Sequence, residues 1–262
     1  MKFRRITTAL LILAAAIACK SSYELLLESN DVDAKYAGAF DCFNQGKYSK
    51  AAQLFESVAV ITNGTARDDT VQYYWGLSNY RAKDYFTAET NFENFINNFP
   101  RSPFAESAEF LRLDCLFRET LRYELDQTPT YKCITAISEY LINHPNSEYR
   151  SVCGRMLDDL EECLDRKAYE NAYIYYKMED YKAARVALRN VLKEDSENRY
   201  REDILFYTAM SSYNYALMSV KSKQKERFLI FYDDYLNFVG EYPDSPKRRE
   251  LDNLYRKTKE KY

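Results

Sequence analysis

Glycine and proline are both scarce in this 262-residue chain, at six each, and histidine occurs once. So few glycines exclude an architecture of tight β-hairpins, whose two-residue turns depend on residues with positive φ. So few prolines leave long stretches in which helices run uninterrupted. With His144 the one histidine, any histidine-based triad would rest on that residue alone, and no Cys or His spacing matches a metal site. The glycines are too scattered for a phosphate-cradling loop. Basic residues form no stripe, which excludes a nucleic-acid footprint. After residue 18 no segment reaches the ~20 apolar residues that span a bilayer. No catalytic residue, cofactor, metal or nucleic-acid partner is expected, and the chain is read as not an enzyme.

What the chain has is aromatics, 25 tyrosines and 15 phenylalanines. Many rings and few breakers predict an all-α protein of long helices packed through aromatic side chains. Acidic and basic residues are interspersed, as on solvated helix faces. The carboxylate runs Asp158-Asp159-Leu160-Glu161-Glu162 and Asp233-Asp234 read as such faces rather than as acid–base pairs. Five cysteines follow Cys19: Cys42, Cys115, Cys133, Cys153 and Cys163. Their odd count and irregular spacing favour unbridged thiols over one bridge, and single out no pair.

The N-terminus carries its own signal. Lys2, Arg4 and Arg5 precede an apolar run from Ile6 to Ile17, and small Ala16 and Ala18 flank Ile17 just before Cys19. The run suits a signal-peptide core better than a membrane span. An ordinary cleaved signal with a nearby cysteine is the alternative. The order resembles a bacterial lipoprotein signal, which implies that residues 1–18 are removed and Cys19 is lipidated. Lys20, with no aspartate there, implies sorting to the outer membrane. Losing Lys2, Arg4 and Arg5 leaves 34 basic against 40 acidic residues, a net charge near −6.

One phrase then recurs. Tyr48-Ser-Lys-Ala51-Ala52-Gln-Leu-Phe55 is echoed by Tyr85-Phe-Thr-Ala88-Glu-Thr-Asn-Phe92 and by Tyr181-Lys-Ala-Ala184-Arg-Val-Ala-Leu188. Weaker copies are Tyr131-Lys-Cys-Ile134-Thr-Ala136-Ile137 and Arg227-Phe228-Leu-Ile-Phe231-Tyr232. In the three strong copies a ring, a small residue three later and a large apolar residue four after that share one helical stripe. A second phrase closes the units: Phe99-Pro100-Arg-Ser102, His144-Pro145-Asn-Ser147 and Tyr242-Pro243-Asp-Ser245, with Glu194-Asp195-Ser196 in the remaining slot. Proline stops one helix, and serine is expected to cap the next. His144 then reads as an aromatic substitute at a helix end.

The phrases resemble the tetratricopeptide repeat. The family's small, turn, small, aromatic and proline positions fall on Gly76, Tyr85, Ala88, Phe92 and Pro100; elsewhere they fall on Ala39, Tyr48, Ala51 and Phe55, and on Ala172, Tyr181, Ala184 and Leu188. The resemblance implies a superhelical array of about five helix pairs, near ~33–62, ~68–98, ~103–143, ~148–194 and ~199–241, with a C-terminal capping helix at ~246–260. Stretches 119–130 and 219–226 are expected to hold extra turns and loops. The organisation expected is a signal peptide over 1–18, a lipidated tether over 19–31 and a repeat domain over 32–262. First helices of such pairs line a groove, and Tyr73-Tyr74-Trp75 cannot all point into one core. Tyr36, Phe40, Tyr73, Tyr74, Tyr80, Tyr173 and Tyr176 are the candidate partner-binding residues, able to hold an extended peptide by stacking and hydroxyl hydrogen bonds.

A lipidated cysteine followed by irregular tetratricopeptide-like pairs resembles the BamD family, lipoproteins of the outer-membrane β-barrel assembly machinery. The Tyr/Ala/Phe phrase running into Phe95-Ile-Asn-Asn-Phe99-Pro100 carries the likeness. The resemblance implies a periplasm-facing scaffold, anchored to the outer membrane by lipid on Cys19. Its N-terminal repeats would take C-terminal segments of unfolded outer-membrane proteins, and its C-terminal repeats would contact the barrel-forming subunit. A tetratricopeptide lipoprotein scaffolding another envelope or secretion complex is the other reading.

Overall fold

The computed structural model describes residues 21–259, so Cys19 and the signal segment 1–18 lie outside the described residues. Among the described residues there are twelve helices and no strand: α1 (Ser22–Glu28), α2 (Val32–Asn44), α3 (Tyr48–Thr62), α4 (Asp68–Arg81), α5 (Tyr85–Asn98), α6 (Ala105–Arg118), α7 (Thr128–Asn143), α8 (Arg150–Lys177), α9 (Tyr181–Glu194), α10 (Arg201–Leu217), α11 (Lys221–Glu241) and α12 (Arg248–Lys259). Five antiparallel pairs and a closing helix follow the recurring phrases. They form two compact units, one of residues 21–120 and 129–150, the other of 121–128 and 151–259.

Three of the pairs close with the same turn. In α2–α3 the N–H of Gly46 donates to the Phe43 carbonyl at 3.0 Å and that of Lys47 to the Cys42 carbonyl at 2.8 Å. Lys83 and Asp84 repeat this on Tyr80 and Asn79, and Glu179 and Asp180 on Tyr176 and Tyr175, each at 3.0 Å. This is the Schellman closure, which needs a left-handed residue just past the helix. Gly46 (φ 73°), Lys83 (φ 66°) and Glu179 (φ 61°) fill that place. Asp84 and Asp180 then accept from the backbone N–H three residues on, at 3.2 and 3.1 Å, and cap the second helix.

The small positions of the repeat phrase let the helices meet. Ala39, Ala51 and Phe55 are fully buried with Leu54, Val58 and Val71. A Cβ on Gly76 would lie 3.0 Å from the Phe92 ring, so α4 and α5 approach too closely there for a larger residue. Ala88, Phe92 and Phe95 continue that core. In the second unit Ala172, Leu188 and Ile204 form one cluster, and Phe228, Phe231, Tyr235 and Phe238 another. The third copy of the phrase is slipped by one residue: Thr130, Cys133 and Ile137 are buried on α7 while Tyr131 is exposed. A long connection, rather than the Schellman turn, joins α6 to α7.

Four local expectations are revised. Residues 22–28 of the expected tether are helical, with a capping box on Ser21 and Glu24 and with Tyr23, Leu26 and Leu27 packed on the first core. Ser102 does not cap α6; its Oγ accepts from the Phe104 N–H at 3.3 Å, a turn two residues wide, and donates to Asp69 at 2.9 Å. In the fourth slot Asn198, not Ser196, plays this part, accepting from the Tyr200 N–H at 3.0 Å and donating to Asp165 at 3.2 Å. Of stretch 219–226, residues from Lys221 onward already belong to α11.

Residues 121–127 are tightly held within the second unit. Lys167 donates to the carbonyls of Tyr123 (3.0 Å) and Leu125 (2.7 Å), Gln127 donates to those of Arg122 and Leu125, and Arg166 lies 4.3 Å over the Tyr123 ring. His144 ends α7 with Nε2 2.7 Å from Glu109 and its ring against Tyr140. Cys42, Cys115, Cys153 and Cys163 stand as thiols outside any disulfide.

Candidate partner-binding site

The Schellman turns fix the register of the first helices and therefore which rings are equivalent. Counting back from the left-handed residue, Phe43, Tyr80 and Tyr176 share one position, Phe40, Leu77 and Tyr173 the next one up the stripe, and Tyr36, Tyr73 and Tyr169 the third. Each ring nearest the turn is met edge-on by the tyrosine that opens the second helix: Phe43–Tyr48 at 5.4 Å, Tyr80–Tyr85 at 5.7 Å and Tyr176–Tyr181 at 5.5 Å. Edge-to-face contact is the favoured arrangement at these distances.

In the first unit these rings form a continuous row across α2, α4 and the start of α6. Tyr36 lies 5.0 Å from Phe40, Phe40 lies 4.8 Å from Tyr74, and Phe43 lies 5.3 Å from Tyr74. Tyr74 meets Tyr73 edge-on at 5.6 Å, and Tyr73 stacks on Phe104 at 4.5 Å. Tyr73 itself is only 8% exposed and its hydroxyl is paired with Ser107 at 2.9 Å. Burial raises its pKa. It belongs to the core and supports the half-buried Tyr74 and Phe104 from behind. Tyr80 stands apart from this row. Its hydroxyl donates to Asp114 at 2.6 Å, and Arg118, itself 2.5 Å from Asp114, lies over the rings of Tyr80 and Tyr85. Burial, then the neighbouring carboxylate, pushes the Tyr80 pKa up to about 12.

The second unit carries a ladder made almost wholly of tyrosine. Tyr169 stacks on Tyr173 at 5.4 Å and on Tyr200 at 5.1 Å; Tyr207 lies 4.4 Å from Tyr173 and 4.9 Å from Tyr176. Lys177 sits 4.6 Å over the Tyr173 ring. Burial, then a hydrogen bond with Tyr173, raises the pKa of Tyr207. Burial likewise raises those of Tyr169 and Tyr176. The hydroxyls are therefore neutral through the physiological range and act as donors and acceptors rather than as charges.

A family model described as "Outer membrane lipoprotein" (YfiO) matches residues 28–229. The chain belongs to this outer membrane lipoprotein family. A relative in Caulobacter vibrioides, outer membrane protein assembly factor BamD, is 22% identical over 205 residues, covering 77% of this chain and 67% of that protein. A solved TPR repeats protein from Bacteroides fragilis aligns over 89% of this chain and 100% of its own, with 16% identity and a TM-score of 0.41.

In this member of the outer membrane lipoprotein family, the candidate residues divide into three groups. Tyr36, Phe40 and Tyr74 come together in one half-buried row, backed by buried Tyr73. Tyr80 is pinned in an ionic cluster at the turn. Tyr173 and Tyr176 come together in the second unit. The sequence reading missed Phe43, Phe104, Tyr200 and Tyr207, which complete the rows. An aromatic five residues before each turn tyrosine was a readable signal for Phe43; Phe104 and Tyr207 join only through tertiary packing. Among the described residues no His, Cys, Asp and Glu cluster is arranged to hold a metal ion, and no helix is long and apolar enough to cross a membrane.

Proposed function

We propose that the chain is a non-enzymatic lipoprotein scaffold of the outer-membrane β-barrel assembly machinery. Family membership over residues 28–229 carries this reading. Lipid on Cys19 holds the chain at the periplasmic face of the outer membrane; one acyl chain anchors marginally, and a mature lipoprotein with several is held firmly. The row of Tyr36, Phe40 and Tyr74 takes the C-terminal segment of an unfolded outer-membrane protein, with Tyr80 as a separate contact near the turn. Stacking and hydroxyl hydrogen bonds do the holding. Tyr173 and Tyr176 lie on the surface offered to the barrel-forming subunit. The mechanism is binding alone: tethering substrate and machine on one scaffold raises their local concentration.

The test compares the native chain with Cys19→Ser. Metabolic labelling with an alkyne fatty acid is expected to mark the native chain and not the variant. Affinity capture from detergent-solubilised envelopes, read by mass spectrometry, is expected to recover a large β-barrel subunit with periplasmic repeats, and less of it with the variant. Recovery of a different envelope complex, with no barrel-assembly subunit, would overturn the assignment.

A further inference from the structure

The three adjacent aromatics of α4 go three ways. Tyr73 enters the core and Tyr74 the aromatic row, whereas Trp75 lines a cleft of about 330 Å³ between α3 and α5. One stripe of α3 supplies Ser49, Ala52, Gln53 and Glu56; α4 supplies Trp75, Asn79 and Ala82; the start of α5 supplies Asp84 and Thr87. The spacings i, i+3, i+4, i+7 on α3 and i, i+4, i+7 on α4 turn each set to one side. The cleft thus combines an indole, polar side chains and two carboxylates, and no basic residue lines it. Among the described residues neither Glu56 nor Asp84 forms an ion pair. Gln53 is held by the Tyr23 hydroxyl at 2.6 Å and Asn79 donates to Asn91 at 2.8 Å, so two walls are fixed before any partner arrives.

We propose that this cleft receives an arginine side chain presented by a partner protein. Tryptophan is the best of the aromatic faces for a cation. A guanidinium is planar, stacks on the indole, and still presents N–H groups to carboxylates on either side. Lysine would supply the charge without the stacking plane. The cleft is formed by α3, α4 and α5 and shares no residue with the aromatic row, so the inference does not rest on the function proposed above. A neutral glycan is the rival occupant, since indole platforms with polar rims also stack sugar rings; the two carboxylates, neither in an ion pair, favour the cation.

Trp75 is the single tryptophan of the chain, so all tryptophan emission comes from a residue that lines this cleft. The purified full-length chain, excited beyond the tyrosine band, is titrated with Ac-Gly-Arg-Gly-NH2, with the same peptide carrying citrulline, which is neutral and of like shape, and with N,N′-diacetylchitobiose. The arginine peptide is expected to move the emission with half-saturation at millimolar concentration, roughly fivefold or more below the citrulline peptide. Glu56→Gln, on an exposed helix position, is expected to weaken arginine binding about three- to fivefold with the circular dichroism unchanged. Glu56→Lys is expected to abolish it. Equal titration by arginine and citrulline, no response to either, or a response to the sugar alone would overturn the proposal, the last in favour of a glycan subsite.

Discussion

The least comfortable residues in the fold are Lys83 and Glu179. Both occupy the left-handed region that the Schellman turn requires, and only Gly46 of the three equivalent positions is a glycine. A side chain at positive φ brings Cβ against the following carbonyl, a cost that glycine avoids. Lys83→Gly and Glu179→Gly are each expected to raise stability by about 0.5–1 kcal/mol, whereas Gly46→Ala should lower it by about 1 kcal/mol. Midpoints of urea unfolding, followed by helical circular dichroism, check all three. A loss of stability in both glycine variants would mean that their side chains contribute more than the backbone strain costs.

Helices are held together here by polar clasps as well as by rings. The strongest joins α9, α10 and α11: Asp234, 5% exposed, accepts from Arg185 Nε at 2.6 Å and Nη2 at 3.1 Å, and from the Ser212 hydroxyl. The Arg185 side chain is 21% exposed, so the pair is screened from water on most sides. Removing one partner of such a pair strands a buried charge, and this penalty exceeds what the pair contributes when intact. Arg185→Met is expected to destabilise the second unit by about 2–4 kcal/mol, and adding Asp234→Asn should recover part of that loss. Urea unfolding of the single and double variants reads the coupling. Other clasps join successive helix pairs. Tyr73 to Ser107 and Tyr80 to Asp114 both span 34 residues, and Asn198 to Asp165 spans 33.

Across the molecule, tyrosine is the dominant structural residue, and this has a pH consequence. Burial raises the pKa of Tyr23, Tyr73, Tyr169, Tyr176, Tyr200, Tyr207 and Tyr242, and takes Tyr80 and Tyr235 to about 12 from an ordinary 10.0. A raised pKa means that the fold prefers the neutral phenol more than the unfolded chain does. Each such group contributes stability that is fully present below pH 10.0 and is lost as pH rises through the folded value. The chain is therefore expected to unfold cooperatively between about pH 10 and 12, with tyrosinate absorbance lagging until the helical signal falls. Titration of all 25 tyrosines as one class near their ordinary pKa, with the helices intact, would contradict this.

The sequence by itself determined the class of the fold, because hydrophobic periodicity and small residues are local properties written along one stripe of each helix. Ala39, Ala51, Gly76, Ala88 and Phe92 were legible as packing positions, and the proline phrases located the helix ends to within a few residues. Tertiary structure decided what one helix cannot specify. It put Tyr73 in the core against α5, Tyr74 against the rings of α2, and Trp75 in the cleft between α3 and α5. It drew Tyr207 beside Tyr173 and Tyr176 from 31 residues or more away. It slipped α7 by one residue, where the loop over 119–127 stands in place of the Schellman turn found in three of the pairs. Periodicity says which side of a helix is buried, and the identity of the element across from it is settled only when the pairs stack.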